Sequence, residues 1–290
     1  MKANKASTTA RLIAAATIMR EREGDAGAAA PQGAAAWCQR LLSQTHVDRL
    51  LQRSVEAAIG RGGWRLVERL VLPGIISHWM RRKQEIDRIA HEAIAEQFEQ
   101  LVVLGAGFDT LALRHAEMRS FKSIIAADHP ATLASVRGAL GVVPVGLATR
   151  PIDLMKDDVA ASLAACPAFN SALPTVIVIE GVLMYLSEDK VARVFRALAS
   201  LPRVRLVASW MVAVPGQPIG FRRQSGLIPG WLKREGEPML WASTCPAMSQ
   251  LLASTGWAHE RFLDLSEPSS SNPTAARGLP DEQLVIADRV

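Results

Sequence analysis

Apolar side chains recur along this chain with two different spacings. Between residues 77 and 100 they return about every 3.6 positions, which predicts a long amphipathic helix with Ser77 as its N-cap. From residue 101 onward short, wholly apolar runs take over, as in strands that are buried on both faces of a parallel sheet. These runs predict strands at 101–104, 123–127, 142–147, 175–179, 203–208, 259–265 and 283–288.

Helical stretches lie between several of these runs, most clearly at 188–200 and 246–255. The alternation of strand and helix predicts an α/β fold with a doubly wound, Rossmann-like sheet of seven strands. The last two strands are joined without a helical pattern, by the Ser- and Pro-rich stretch 266–280, which we expect to be an exposed loop. A connection without a crossover helix predicts that the last strand is antiparallel.

The first 76 residues predict a helical cap in front of the sheet domain, which we expect to span residues 77–290. Helical patterns at 38–60 and 64–72 are interrupted by the glycines at 60–63. The stretch 24–36 is rich in Ala and Gly, which is typical of a loop.

The N-terminal apolar run 12–19 follows three basic residues, as in a signal peptide, but the charged residues at 20–23 favour an amphipathic helix. The three cysteines, Cys38, Cys166 and Cys245, are widely spaced and form no C-x-x-C pair. This usage argues against disulfides or a metal site and for a cytoplasmic, reducing location. Because no apolar run approaches the ~20 residues of a membrane-spanning helix, we expect no membrane partner.

Tryptophan and other large apolar residues are concentrated in the segment 210–245, a predicted insertion of the sheet domain. The segment is either a lid that provides an apolar acceptor pocket, or a long insertion with ordinary core aromatics. Its large apolar residues are Trp210, Met211, Phe221, Trp231 and Trp241.

The net charge of +5 and the sequence pI of about 9.4 permit an anionic partner without demonstrating one. The basic clusters at 81–83, 222–223 and 233–234 are short and are not interleaved with aromatic residues. Such short clusters are mostly solvated surface. We therefore expect no nucleic-acid partner.

A glycine-rich turn directly follows the first predicted strand. Gly105 and Gly107 allow a tight bend and a close backbone approach to a ligand, and Asp128 ends the next strand 23 residues after Gly105. A carboxylate at this place suits the hydroxyls of a ribose, which S-adenosylmethionine and a dinucleotide both contain. Thr110 departs from the dinucleotide pattern and Asp109 from the general methyltransferase pattern, so this turn alone leaves both cofactors open.

Residues 77–290 carry several motifs in an order that resembles the leucine carboxyl methyltransferase family. The stretch 101–110 together with Arg114 is similar to the family's first motif, G-A-G-x-D-T followed by an arginine, and this motif has an aspartate where Asp109 stands. The other matching segments are Arg82 with Asp87, Asp128-x-Pro130, Asp153-Leu154, the E-G-V-L-M-Y-L segment from Glu180, Gly256-Trp257, and the closing residues 284–289.

The resemblance implies a seven-stranded methyltransferase sheet and S-adenosylmethionine as cofactor. In the family pattern Arg82 grips the cofactor carboxylate, Asp128 binds the ribose, and Glu180 contacts the cofactor near its ammonium group. The remaining implied cofactor residues are Gly105, Gly107 and Asp109 at the turn, with Asp153 and Leu154 beside the adenine.

The resemblance further implies O-methylation of a carboxylate, on a small-molecule carboxylic acid or on a peptide C-terminus. A carboxylate is already ionised at pH 7, so it needs no strong base. A phenol or amine acceptor would need one, and His129 or Tyr185 would then be the candidates; Tyr185 is otherwise a packing residue or a contact of the substrate. Three other hypotheses are a nicotinamide-dependent oxidoreductase, a nucleic-acid methyltransferase and a non-enzymatic cofactor-binding protein.

Overall fold

The computed structural model describes residues 6–24, 29–267 and 277–289. Within these ranges the helices are α1 Thr8–Glu23, α2 Ala34–Leu41, α3 His46–Glu56, α4 Ala58–Val71, α5 Ile75–Ala95, α6 Leu111–Met118, α7 Pro130–Leu140, α8 Val159–Ala164, α9 Glu188–Leu198, α10 Leu227–Glu235 and α11 Cys245–Ser254. The strands are β1 Gln100–Leu104, β2 Ser123–Asp128, β3 Leu147–Pro151, β4 Thr175–Ile179, β5 Val204–Met211, β6 Ala258–Asp264 and β7 Glu282–Arg289.

The strands form one seven-stranded sheet in the order β3-β2-β1-β4-β5-β7-β6. The pairs among β1 to β5 are parallel, whereas β7 is antiparallel to both of its neighbours. The predicted doubly wound sheet with an antiparallel last strand is therefore confirmed. The direction of winding reverses between β1 and β4, and sheets of this kind bind ligands at that reversal.

Alternate side chains of the central strands enter two separate hydrophobic cores. In β1, Leu101 and Val103 pack on one face of the sheet with α1, α2, α5, α6 and α7. Val102 and Leu104 pack on the other face with α8, α9 and α11. Burial on both faces explains why these strands are wholly apolar in sequence.

The third strand lies further along the chain than the predicted 142–147 and begins only at Leu147. Pro144 cannot donate a hydrogen bond to a ladder, and Gly146 has a φ of 87°, so the chain turns where the strand was expected. Val145 is 81% exposed. An apolar run thus forms a surface loop, because its backbone cannot pair with β2.

The helix predicted at 77–100 is α5, but its ends differ from the prediction. Its N-cap is Gly74, with a φ of 84°. Ser77 therefore lies in the first turn, where its hydroxyl accepts a hydrogen bond from Arg20 at 2.9 Å. At the other end the helix stops at Ala95, and Gln97 adopts a φ of 66° that turns the chain into β1.

The glycines at 60–63 do not interrupt a helix, contrary to the prediction, because they lie inside α4. The break falls instead at Ala57, between α3 and α4. A Cβ on Gly60 would lie 1.8 Å from the backbone oxygen of Ser54. Glycine here permits the close approach of two helices.

The predicted N-terminal helix is present as α1, but residues 14–19 are all buried, so its buried surface is not confined to one face as an amphipathic helix requires. Helix α2 begins at Ala34, earlier than expected. Parts of the two predicted loops lie outside the described residues, namely 25–28 of the first and 268–276 of the second. In the described ranges no helix has both the length and the apolar character needed to cross a membrane.

The aromatic residues after β4 divide between core and cavity. Trp210 and Met211 belong to β5, and Trp210 is fully buried with its indole N–H donating to Ser243 at 3.1 Å. Trp241 is also buried in the core. Trp231 lines a cavity, whereas Phe221 is buried in the core and also borders that cavity. The core interpretation therefore describes Trp210, Trp241 and Phe221, and the lid stays a prediction.

Candidate active site

A cavity of about 520 Å³ opens at the carboxyl ends of the parallel strands, between the loops that follow β1 and β4. Helix α1 contributes Ala10, Ile13 and Ala14 to its lining. All of the residues that the sequence suggested for a site line this one cavity: Arg82, Gly105, Gly107, Asp109, Asp128, Asp153, Leu154, Glu180 and Tyr185.

The loop after β1 has two glycines with positive φ, and at the first of them an added Cβ would collide with a neighbouring side chain. Gly105 has a φ of 76°, and a Cβ there would lie 2.3 Å from Cγ2 of Val182. Gly107 has a φ of 50°, and its N–H donates to Oδ2 of Asp128 at 2.6 Å. Because both residues need positive φ, the sequence pattern of this turn reflects a backbone requirement.

Asp128 ends β2 and presents its carboxyl group to the cavity. Burial raises the pKa of Asp128 to about 6, although the N–H groups of Gly107 and His129 each donate to it at 2.6 Å and act in the opposite direction. The nearby Glu237 adds to the rise. Above pH 6 this group is therefore an anion that can accept hydrogen bonds from a ligand diol.

Asp153 and Leu154 follow β3 and form a polar and apolar pair at one end of the cavity. Burial raises the pKa of Asp153, but the N–H of Met155 and the ammonium group of Lys156 outweigh burial and lower it overall. These donors lie 3.0 and 3.2 Å from the carboxylate. His129 Nε2 is 3.9 Å away, so His129 belongs to this end of the cavity.

A cluster of buried charges forms the opposite end. Nε of Arg82 donates to Glu180 at 3.0 Å, and its Nη1 atom contacts both carboxylate oxygens of Glu282 at 2.7 and 2.6 Å. Lys83 pairs with Asp109 and lies 3.2 Å from Glu180. The other Asp109 oxygen accepts the first N–H of α6 at 2.7 Å. This end can therefore bind a zwitterion.

The basic cluster at 81–83 is buried, whereas the clusters at 222–223 and 233–234 are exposed, as predicted for most of these clusters. Arg81 and Arg82 are each 3% exposed and Lys83 is 9% exposed. Arg81 pairs with Glu85 within α5, while the other two contribute to the charge cluster. Three consecutive residues can all be buried here because α5 lies between the sheet and the N-terminal helices.

Sequence reasoning missed several polar residues around this cavity and its charge cluster, among them Thr9, Lys83, Glu237 and Glu282. Lys83 had a signal, since it follows Arg82 in the same helix. Glu282 had a weaker one, as a carboxylate at the start of a strand that is otherwise largely apolar. Thr9 and Glu237 come together only through tertiary structure.

Tyr185 lies where α1 and the segment after α10 meet. Burial raises the pKa of the Tyr185 hydroxyl, the Glu237 carboxylate raises it further, and a hydrogen bond with Thr9 opposes this rise. The Thr9 hydroxyl donates to Glu237 at 2.6 Å, and the neighbouring Thr8 hydroxyl donates to Glu235 at 2.7 Å. We call these two bonds between α1 and residues 235–237 the clasp.

Asp87 is held outside the cavity by residues that follow the glycine turn. Its Oδ1 atom lies 2.7 Å from Nη2 of Arg114 and 3.7 Å from Nε2 of His115. Although burial raises the pKa of Asp87, His115 and Arg114 lower it to about 2. This ion pair ties α5 to α6 and so fixes the turn between β1 and α6.

A second cavity of about 1,090 Å³ adjoins the first. The two share a wall, formed by Thr9, Ile13, Arg82, Gly181 and Tyr185. Gly181 has a φ of 66°, and a Cβ there would lie 3.3 Å from Nη2 of Arg82. Gly181 therefore lies directly against the Arg82 guanidinium in the wall that the two cavities share.

Comparison with known proteins gives three results. Residues 24–199 match the model of the leucine carboxyl methyltransferase family. A Streptomyces coelicolor protein named as a candidate S-adenosyl-L-methionine-dependent methyltransferase is 30% identical over 207 residues, which cover 66% of this chain and 68% of the relative. The crystal structure of a candidate methyltransferase from Thermobifida fusca superposes with a TM-score of 0.58 at 18% identity, covering 90% of this chain and 95% of the other.

Proposed function

Because this chain belongs to the leucine carboxyl methyltransferase family and is an S-adenosylmethionine-dependent methyltransferase, we propose that it methylates a carboxylate oxygen. The acceptor is a carboxylic acid in the second cavity, and the product is its methyl ester. Family membership sets aside the nicotinamide-dependent oxidoreductase. The choice among carboxylate, phenol and amine acceptors rests on the chemistry of the wall between the two cavities.

The observation that carries this proposal is the chemistry of that wall. Its polar side chains in the described part of the chain are Thr9, Arg82 and Tyr185. Arg82 carries a positive charge, and Tyr185 keeps its proton at neutral pH because burial raises its pKa. Neither can act as a general base, and both can donate hydrogen bonds to an anionic oxygen. His129 lines only the first cavity.

The order of side chains along the first cavity fits S-adenosylmethionine. We assign the adenine to Asp153 and Leu154, and the ribose hydroxyls to Asp128. The cluster of Arg82, Lys83, Asp109 and Glu180 offers both signs of charge to the amino-acid end. Paired charges of this kind match a carboxylate and an ammonium group separately. Gly105 and Gly107 allow the ligand to lie against the turn.

When bound, S-adenosylmethionine supplies the methyl group: the acceptor oxygen bonds to the methyl carbon as the carbon–sulfur bond breaks, and the bonding electron pair stays on sulfur. No proton moves in this reaction, since the acid is already ionised at pH 7. The chain must align the two ligands across Gly181 and exclude water. Alignment of this kind lowers barriers by up to ~7–11 kcal/mol, and α1 covers the site.

The test is methyl transfer from labelled S-adenosylmethionine to carboxylic acids, phenols and amines that share one carbon skeleton. We expect labelled product only from the acids, and mild alkali should release its label as methanol. Label that resists alkali, in a phenol ether or a methylamine, would contradict the proposal. A protein C-terminus enters the same panel as a peptide ending in leucine.

The role proposed for Tyr185 has its own test. Tyr185→Phe removes a donor beside the reacting oxygen, and hydrogen bonds to charged groups contribute about 1.5–3 kcal/mol. We expect kcat/KM to fall about 10- to 100-fold with the Kd of S-adenosylmethionine unchanged. The pH dependence distinguishes donor from base: a donor gives the same pH profile in the variant, whereas a base would remove one limb of it.

A further inference from the structure

The second cavity has the character of an acceptor site for one kind of molecule. Besides Tyr185, four aromatic side chains line it, Trp64, Trp79, Phe221 and Trp231, together with Met184 and Met239. Its volume of about 1,090 Å³ is roughly twice that of the first cavity. Drug-sized ligands occupy pockets of about 300–1,000 Å³, whereas a leucine side chain would fill only a small part of this one.

Helix α4 forms one side of this cavity in an unusual way. The cavity-facing residues of α4 include Gly63, Trp64, Val67 and Val71, yet no residue of the helix is buried. The apolar face of a surface helix ordinarily packs on other side chains. Here Trp64, Val67 and Val71 border the cavity, so apolar contact with a ligand would complete the packing of these three side chains.

In the described part of the chain, the charged residues that line the cavity are Glu68, Arg82, Arg234 and Glu282. Arg82 and Glu282 pair at the end nearest the first cavity, and the exposed Arg234 lies at the surface. Glu68 accepts the backbone N–H of Ile76 at 3.0 Å, and burial raises its pKa. The body of an acceptor would therefore meet apolar groups, with polar contacts at the shared wall and at the entrance.

The same lining is unfavourable for a peptide. Each peptide unit brings an N–H and a C=O that need partners once they are buried. The indole N–H of Trp64 already donates to Ser54 at 2.9 Å. The lining between the shared wall and the surface is built mainly from hydrocarbon, aromatic and thioether groups, so a buried peptide backbone would lose hydrogen bonds there.

We propose that the acceptor is a bulky, largely apolar small-molecule carboxylic acid, bound in the second cavity beneath α4 and α10 with its carboxylate at Tyr185. This inference rests on the proposed function for the reacting group, but the binding site itself can be tested without methyl transfer. Pyrene-1-carboxylate is a suitable probe, because it is bulky, apolar and fluorescent. Benzoate and a leucine-terminated hexapeptide serve as the small and the peptidic alternatives.

Two glycines of α4 provide a matched pair of variants. Gly63 lines the cavity and Gly62 does not, and a Cβ at either position meets no atom within 4 Å. Gly63→Leu therefore places a side chain in the acceptor site, whereas Gly62→Leu makes the same change beside it. Both replace glycine in a helix, so both should increase its stability slightly.

We expect pyrene-1-carboxylate to bind the wild type and the Gly62→Leu variant equally, and the Gly63→Leu variant at least 10-fold more weakly. The Kd of S-adenosylmethionine should be the same in all three. Equal binding of the probe to both variants, or binding of the peptide in preference to the probe, would overturn the inference. If the probe binds as expected but is never methylated, the result contradicts the proposed carboxylate methylation and still supports the proposed binding site.

Discussion

At the scale of single residues, the active-site region contains carboxyl groups whose proton affinities differ through their surroundings. Burial raises the pKa of Asp128 to about 6, since only backbone N–H groups and a hydroxyl oppose it. Burial acts on Glu282 as well, but Arg82 and His78 outweigh it and lower the pKa of Glu282 to about 2. A guanidinium group within 3 Å therefore keeps Glu282 ionised to a lower pH than Asp128.

The raised pKa of Asp128 predicts a pH-dependent contribution to stability. The folded protein binds this proton below about pH 6, whereas the unfolded chain binds it only below 3.8. Stability from this group is therefore present at low pH and is lost as the pH rises through 6. We expect the unfolding free energy of the wild type, relative to Asp128→Asn, to increase between pH 7 and pH 5.

Urea denaturation of both proteins at the two pH values measures this difference. Since Asp128→Asn removes the titrating group alone, all other pH effects cancel between them. A relative stability that rises with pH instead would show that Asp128 has a depressed pKa.

The turn glycines make a second prediction at this scale. In Gly105→Ala the new Cβ would lie 2.3 Å from Cγ2 of Val182, and the residue would have to keep a positive φ. In Gly216→Ala the φ is similar, at 75°, but the new Cβ would have no atom within 4 Å. A positive φ alone costs about 1–2 kcal/mol. We expect Gly105→Ala to lower the unfolding free energy by more than Gly216→Ala does and to weaken S-adenosylmethionine binding, which Gly216→Ala should leave unchanged.

A double variant separates the two causes. Val182→Ala in the Gly105→Ala background removes the colliding methyl groups and should restore part of the lost stability. No recovery at all would mean that backbone conformation, and not the contact with Val182, limits residue 105.

At the scale of elements, the first cavity is closed by two segments from distant parts of the chain. Helix α1 and residues 235–237 meet in the clasp, where Glu235 and Glu237 accept hydrogen bonds from the first turn of α1. Acidic groups are favourable at a helix N-terminus. Because α1 also packs on α2, α3 and α5, opening at the clasp requires movement only at the end of the helix.

Thr8→Val breaks one bond of the clasp without altering a cavity-lining residue. A hydrogen bond to a carboxylate contributes about 1.5–3 kcal/mol where it forms, so local opening should become more frequent. We expect faster amide hydrogen exchange in the first turn of α1 and at residues 235–237, and faster release of S-adenosylmethionine, with α9 unaffected.

Ser200→Ala is the matched control, since Ser200 donates only to a local carbonyl at 2.7 Å on the surface. It should leave both exchange and release unchanged. Uniformly faster exchange in the Thr8→Val variant would instead indicate global destabilisation, and would argue against a local opening.

At the scale of the whole molecule, the central fold follows from the sequence because its signals are local. Apolar runs such as that of β1 identify the parallel strands, and the direct link between β6 and β7 indicates the antiparallel strand. The third strand was misplaced because Pro144 and Gly146 interrupt an apolar run. Active-site residues that the sequence did not reveal can depend on partners far away in the chain. Glu282, for example, pairs with Arg82, which is 200 residues away.

The pairing of Arg82 with Glu282 predicts a large effect on global stability. Removing one partner of a buried ion pair costs about 3–5 kcal/mol, and both side chains are almost inaccessible to solvent. We expect Glu282→Gln to lower the unfolding free energy by that amount. Asp288 lies on the same strand as Glu282 and forms a partly exposed ion pair with Arg205 of β5. Asp288→Asn breaks this pair and should lower the unfolding free energy by ~1 kcal/mol or less.

Denaturant titration of the wild type and both variants at pH 7 measures the two losses of unfolding free energy. Equal losses would show that burial adds nothing to the Glu282 pair. A small loss from Glu282→Gln, with S-adenosylmethionine still bound, would mean that Glu180 alone suffices to hold Arg82.

The position of Glu282 in β7 also has a consequence for biosynthesis. Translation releases Arg82 and Lys83 from the ribosome long before Glu282, and β7 must insert between β5 and β6 to bring that carboxylate into place. A nascent chain that already has its first five strands therefore holds a guanidinium without its main counter-ion. A chain that ends before β7 should therefore be much less stable than one that contains this strand, since its buried guanidinium lacks that partner.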